Sequence, residues 1–112
     1  MTTKNKAPHT DYRDSLIERL RSDEQEQYYY LKAALEENSD SPEALLITLK
    51  TIAEARGFSA FAADAGLSRE SLYRTLSKNG NPKLDTIFKI FGALGMRLTV
   101  EPIEHKTKKR AG

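Results

Sequence analysis

At 112 residues, 38% hydrophobic and 30% charged, the chain suits one folded domain built around a single modest core. The absence of cysteine excludes disulfides, thiolate metal sites and thiol nucleophiles, and His9 and His105 lie in polar terminal segments without a rigid support for acid-base or metal chemistry, so no enzyme activity, cofactor or metal is expected. No stretch approaches the roughly 20 apolar residues of a membrane span, the amino terminus lacks the apolar run of a signal peptide, and a cytoplasmic protein is expected.

Residues 1–10 are polar and aperiodic, which predicts a flexible arm. Tyr12, Leu16 and Leu20, with Ile17 beside them, predict a first helix capped by Thr10 or Asp11. A second helix follows Ser22 or Asp23, carries Tyr28, Leu31 and Leu35 as its apolar stripe, and runs to about Glu37. Ser41-Pro42-Glu43 starts a third helix, because serine caps, proline is pre-set for the first turn and glutamate complements the amino end. Its buried stripe is Leu45, Leu49 and Ile52, and Gly57 stops it. Ser59 is the expected cap of a short fourth helix through Ala65, Gly66 makes the turn, and Ser68 caps a fifth helix to about Ser77. After Asn79-Gly-Asn-Pro82, the spacing of Leu84, Ile87, Phe88 and Phe91 predicts a sixth helix ending near Gly95. Met96, Leu98 and Val100 then alternate with Arg97, Thr99 and Glu101, which predicts a half-buried strand, and the segment 104–112 is a basic tail. The expected fold class is therefore all-α, with two front helices (11–40), a helix-turn-helix bundle (41–103) and a C-terminal β-strand.

The chemistry concentrates in Phe58 to Ser77. Ala62 permits close approach of two short helices, Gly66 takes the turn, and Leu67, Leu72 and Leu76 anchor the second helix, leaving Ser68, Arg69, Glu70, Ser71, Tyr73 and Arg74 on a free face. Arginine binds guanine bidentately or grips phosphate, serine serves either, and glutamate accepts from cytosine N4, so these residues suit base reading in the major groove of duplex DNA. Ser59, Lys78, Asn79, Asn81 and Lys83 lie near the helix ends, where phosphate contacts set the register. The same pattern is also compatible with a helix pair that merely packs and carries a solvated face.

The stretch from about Leu45 to Val100 resembles the lambda-repressor-like, Xre-type helix-turn-helix group, and more closely the addiction-module antidote (HigA-type antitoxin) family, through its Arg56-Gly57 turn, the GLSRESLYR core (66–74), the GNP turn (80–82) and the ALGMRL ending (93–98). YLKAALEE (30–37) resembles the helix that such antidotes carry before the domain. The resemblance implies that Ser68, Arg69, Glu70, Ser71 and Arg74 belong to a DNA-reading element. It also implies repression of the module's own promoter and a small basic RelE/HigB-like ribonuclease toxin as partner. The fifth helix usual in Xre-type domains is replaced here by the expected strand.

Charge divides the chain: residues 1–56 hold eight Lys or Arg against eleven Asp or Glu, and residues 57–112 hold ten against five. The acidic front repels phosphate and attracts a basic protein, and Tyr29 and Tyr30 are the candidate partner contacts, because three consecutive helical tyrosines cannot share one buried face. A homodimer is expected, since one short recognition helix makes few base contacts, with the strand around Leu98 and Val100 as its seam. Two other readings stay open: a toxin-binding interaction module with little DNA binding, and a solitary prophage-type regulator without a toxin.

Overall fold

The computed structural model describes residues 8–77 and 79–103, with side chains from Tyr12 onward, so Lys78, His105 and the basic tail lie outside the described residues. Six helices follow in order: α1 (Pro8–Leu20), α2 (Glu24–Glu37), α3 (Pro42–Arg56), α4 (Phe58–Asp64), α5 (Arg69–Thr75) and α6 (Leu84–Leu94). Their ends have local causes. The Asp23 carboxylate accepts from the Gln25 and Glu26 amides at 3.1 Å each, and Ser41 Oγ accepts from the Ala44 amide at 3.1 Å with Pro42 in the first turn. Gly66 and Gly95, both left-handed, close α4 and α6 in the same way: the amide after each glycine donates to a carbonyl five residues back, Leu67 to Ala62 at 2.9 Å and Met96 to Phe91 at 3.0 Å.

Two expected starts shift. Backbone α1 begins at Pro8, ahead of Thr10 and Asp11. Ser59 does not cap α4; Gly57, at φ +97°, ends α3 and serves as the first residue of the next cap, which leaves no position for an intervening serine, and Ser59 sits exposed in the first turn.

α3 is the central element. Leu49, Ile52 and Ala53 are fully buried, surrounded by Leu31 of α2, Phe61 and Ala62 of α4, Leu72 of α5 with Leu76 at its C-cap, and Ile87, Ile90, Phe91 and Leu94 of α6. Thr48 and Thr51 are also buried, and each hydroxyl donates to the carbonyl four residues back, at 2.8 and 3.0 Å, which removes the penalty of an unmet polar group. Leu16, Leu20 and Ala55 form a smaller cluster, and Tyr30 packs against both. The front helices are thus continuous with the core that α3 to α6 share.

The expected strand at Met96–Glu101 is not formed: among the described residues all regular structure is helical. Met96 packs on the core, but Leu98 is 40% exposed and Val100 91% exposed. The alternating pattern fixes which side chains a strand would bury, whereas a strand exists only with a ladder partner, and the helices satisfy their own backbone and offer none.

Candidate nucleic-acid interface

α4 and α5 are two short helices joined by the tight turn around Gly66. Ser68 Oγ accepts from the Ser71 amide at 2.9 Å, fixing the start of α5. Leu72 and Leu76 are fully buried, and Ala62 of α4 lies against them in the same core. Because one face is held this way, Arg69, Glu70, Tyr73 and Arg74 stand exposed on the other, beside exposed Ser68 and half-buried Ser71. All six expected base-reading residues are brought together.

Tyr73 has a further role. Its ring meets Phe58 of α4 edge-on at 5.5 Å, and Lys50 of α3 lies over it at 5.0 Å from the centroid, while the Arg69 guanidinium lies 5.8 Å from the Phe58 ring. These contacts brace α5 against α3 and α4 and add Lys50 to the basic face. Lys50 was not legible in the sequence, because it lies within a helix whose pattern reads as core and reaches the site only across the tertiary fold.

At the far end, the Gly80 amide donates to the Ser77 carbonyl at 2.9 Å, and Ser77 Oγ donates to the Arg74 carbonyl at 2.9 Å. A Cβ on Gly80 would stand 2.1 Å from the Thr75 carbonyl oxygen, so this loop lies directly on the last turn of α5. Asn79, Asn81 and Lys83 are exposed on and after it, and Ser59 is exposed at the start of α4.

The pairing of the cations divides the molecule. In α1 and α2 every arginine and lysine with a described side chain has a carboxylate, or lies in the turn and takes one: Arg13 with Glu54, Arg19 with Glu26, Arg21 with Glu18, and Lys32 with Glu36 at 2.9 Å. Lys32 is held above its ordinary pKa by the hydrogen bond and charge of Glu36, with smaller help from Tyr28 and Glu101. Lys50, Arg69 and Arg74 form no ion pair among the described residues. Among the described residues no acidic or histidine cluster could hold a metal, and no helix is long and apolar enough to cross a membrane.

The sequence profile of a family described as "probable addiction module antidote protein" matches residues 13–102, from within α1 to beyond α6. The chain belongs to this family. An antidote implies a toxin as its partner. An uncharacterised protein of Haemophilus influenzae is 44% identical over 86 residues, which cover 77% of this chain and 86% of that protein. No solved structure matches significantly.

In this antidote, the two tyrosines expected to meet a partner part company. Tyr29 is 54% exposed, whereas Tyr30 is half-buried between the two core clusters. Tyr28, expected on the buried stripe, is 43% exposed, with its ring 5.1 Å from that of Tyr29. The cause is Gln27, which is 1% exposed with both side-chain polar atoms partnered: its Nε2 donates to the Leu20 carbonyl at 2.7 Å and its Oε1 accepts from Arg56 Nε at 2.8 Å. Arg56 Nη1 in turn donates to the Ala93 carbonyl at 3.2 Å. A pattern counted on apolar residues alone omits a glutamine that is buried because it is satisfied, and the inward face of α2 comprises Gln27, Tyr30, Leu31, Ala34 and Leu35, the expected Leu31 and Leu35 among them.

Proposed function

We propose that this antidote is a DNA-binding transcriptional repressor of HigA-like type, which inserts α5 into the major groove of operator DNA and neutralises a small RelE/HigB-like ribonuclease encoded with it. It acts in the cytoplasm by binding rather than by catalysis. The observation that carries the DNA reading is α5 itself: a helix capped by Ser68 and locked inward by Leu72 and Leu76, with Arg69 and Arg74 standing outward without carboxylate partners among the described residues. Such arginines are available to guanine or phosphate at no cost in broken ion pairs. Arg69, Glu70, Ser71 and Arg74 read bases, Tyr73 braces the helix while presenting its exposed edge, and Ser59, Asn79, Asn81, Lys83, Lys50 and Lys78 grip the backbone. Two copies read two half-sites about 34 Å apart, related by a twofold axis.

Footprinting on the DNA upstream of the antidote's own gene tests this. Two protected major-groove segments one helical turn apart are expected. Uniform, sequence-independent protection would leave only general phosphate affinity, and absence of any footprint alongside tight toxin capture would favour an interaction module without DNA reading.

A further inference from the structure

We propose that the outward face of α2, centred on Tyr28 and Tyr29, is the docking surface for a basic protein, the toxin, with the carboxylates of Glu37, Asp40 and Glu43 following at the end of α2, in the turn after it and in the first turn of α3. This rests on the antitoxin reading above and names its partner-facing site. The two rings are exposed, adjacent and carried on a helix whose opposite face is locked into the core by Gln27 and Leu31, so they are held in place before any partner arrives. Large aromatic rings presented on a rigid element are the side chains that most often dominate an interface.

Charge selects the occupant. From Glu24 to Glu43 there are six acidic residues and one basic residue, Lys32, which Glu36 already occupies. Glu37, Asp40 and Glu43 are exposed and form no ion pair among the described residues. Nucleic acid and anionic lipid are repelled by such a surface, and two copies meeting through it would set like charges together, whereas a cationic protein gains both the charge and the rings. α2 packs on α1 and α3, while α5 packs on α4, so a partner on the outer side of α2 occupies a different element from the one that reads DNA.

The test uses the full chain and, as probe, the purified product of the reading frame adjacent to its gene, titrated calorimetrically against the wild type, Y28S/Y29S and E37K/D40K. All four positions are exposed, and retention of the wild-type melting temperature checks folding. The wild type is expected to form a complex, Y28S/Y29S to weaken it at least 100-fold, and E37K/D40K to weaken it at least 10-fold with a reduced salt dependence, while both variants bind promoter DNA as the wild type does. A complex equally tight with folded Y28S/Y29S and E37K/D40K would overturn the docking surface and leave the antitoxin reading intact. No complex with the wild type would overturn that reading and the surface with it. Self-association of the wild type abolished by Y28S/Y29S would show that a second copy covers the face, and would equally overturn the proposal.

Discussion

Arg69 and Arg74 are chemically alike but differ in what holds them, since Arg69 lies near the Phe58 ring whereas Arg74 makes no ion pair or ring contact among the described residues. If each reads a base, replacing either with alanine should cost about 1–3 kcal/mol of operator binding and relax preference at one position, while Lys83→Ala should weaken all duplexes alike and lower the salt slope by about one. Binding assays across single-base operator variants distinguish these outcomes. Gly80→Ala should destabilise the protein and raise the mobility of the loop after α5, because the added methyl would meet the Thr75 carbonyl oxygen at 2.1 Å; thermal unfolding measures it. Replacing Gln27 with leucine should cost about 1–3 kcal/mol, since Arg56 Nε loses its acceptor inside the fold and Arg56 Nη2 is already buried without a hydrogen bond. At this scale the legible residues were those with a local signal: Ser41, Ser68, Gly66 and Gly95 act through neighbours in sequence. Lys50, Gln27 and Tyr30 act through neighbours in space, and their roles had no sequence pattern to betray them.

Among the elements, α5 is the one whose stability bears on the proposed DNA reading. It spans seven residues and holds its position through the Ser68 cap, two buried leucines and the Phe58–Tyr73 contact. Ser68→Ala should therefore lower stability by about 1 kcal/mol, and hydrogen exchange should show the loss concentrated in α5. Tyr73→Ala should weaken operator binding chiefly by loosening the helix, with a matching drop in melting temperature, whereas Arg74→Ala should weaken binding at unchanged melting temperature. The helices were readable because periodicity and caps are properties of a segment. The segment after α6 was not: its alternation of Leu98 and Val100 with polar neighbours is real, but strand formation depends on a second strand that no segment-level pattern reports.

For the whole molecule, the front helices and the bundle of α3 to α6 are packed together. Leu31 of α2 is buried in the main cluster, Tyr30 bridges the two clusters, and the Gln27–Arg56 pair ties α2 to α3 and, through Ala93, to α6. A chain beginning near Asn38 should therefore lose cooperative unfolding rather than yield an isolated DNA-binding domain, and circular dichroism during heating would reveal it. The proposed division of function runs instead across the surface: among the described residues, cations of the front helices are paired and Glu37, Asp40 and Glu43 are not, while Lys50 of α3 and Arg69 and Arg74 of α5 form no ion pair. That division was legible in the sequence as a charge asymmetry, although only the fold shows which cations are already occupied. The most direct test is fluorescence anisotropy of a labelled duplex from the antidote's own promoter and of a scrambled duplex of equal composition, with the wild type and the R69A/R74A variant at fixed salt. The wild type should bind the promoter at least 100-fold more tightly than the scrambled duplex, and folded R69A/R74A should lose most of that preference. Equal affinity of the wild type for both duplexes, or an undiminished preference in the variant, would contradict DNA reading through α5.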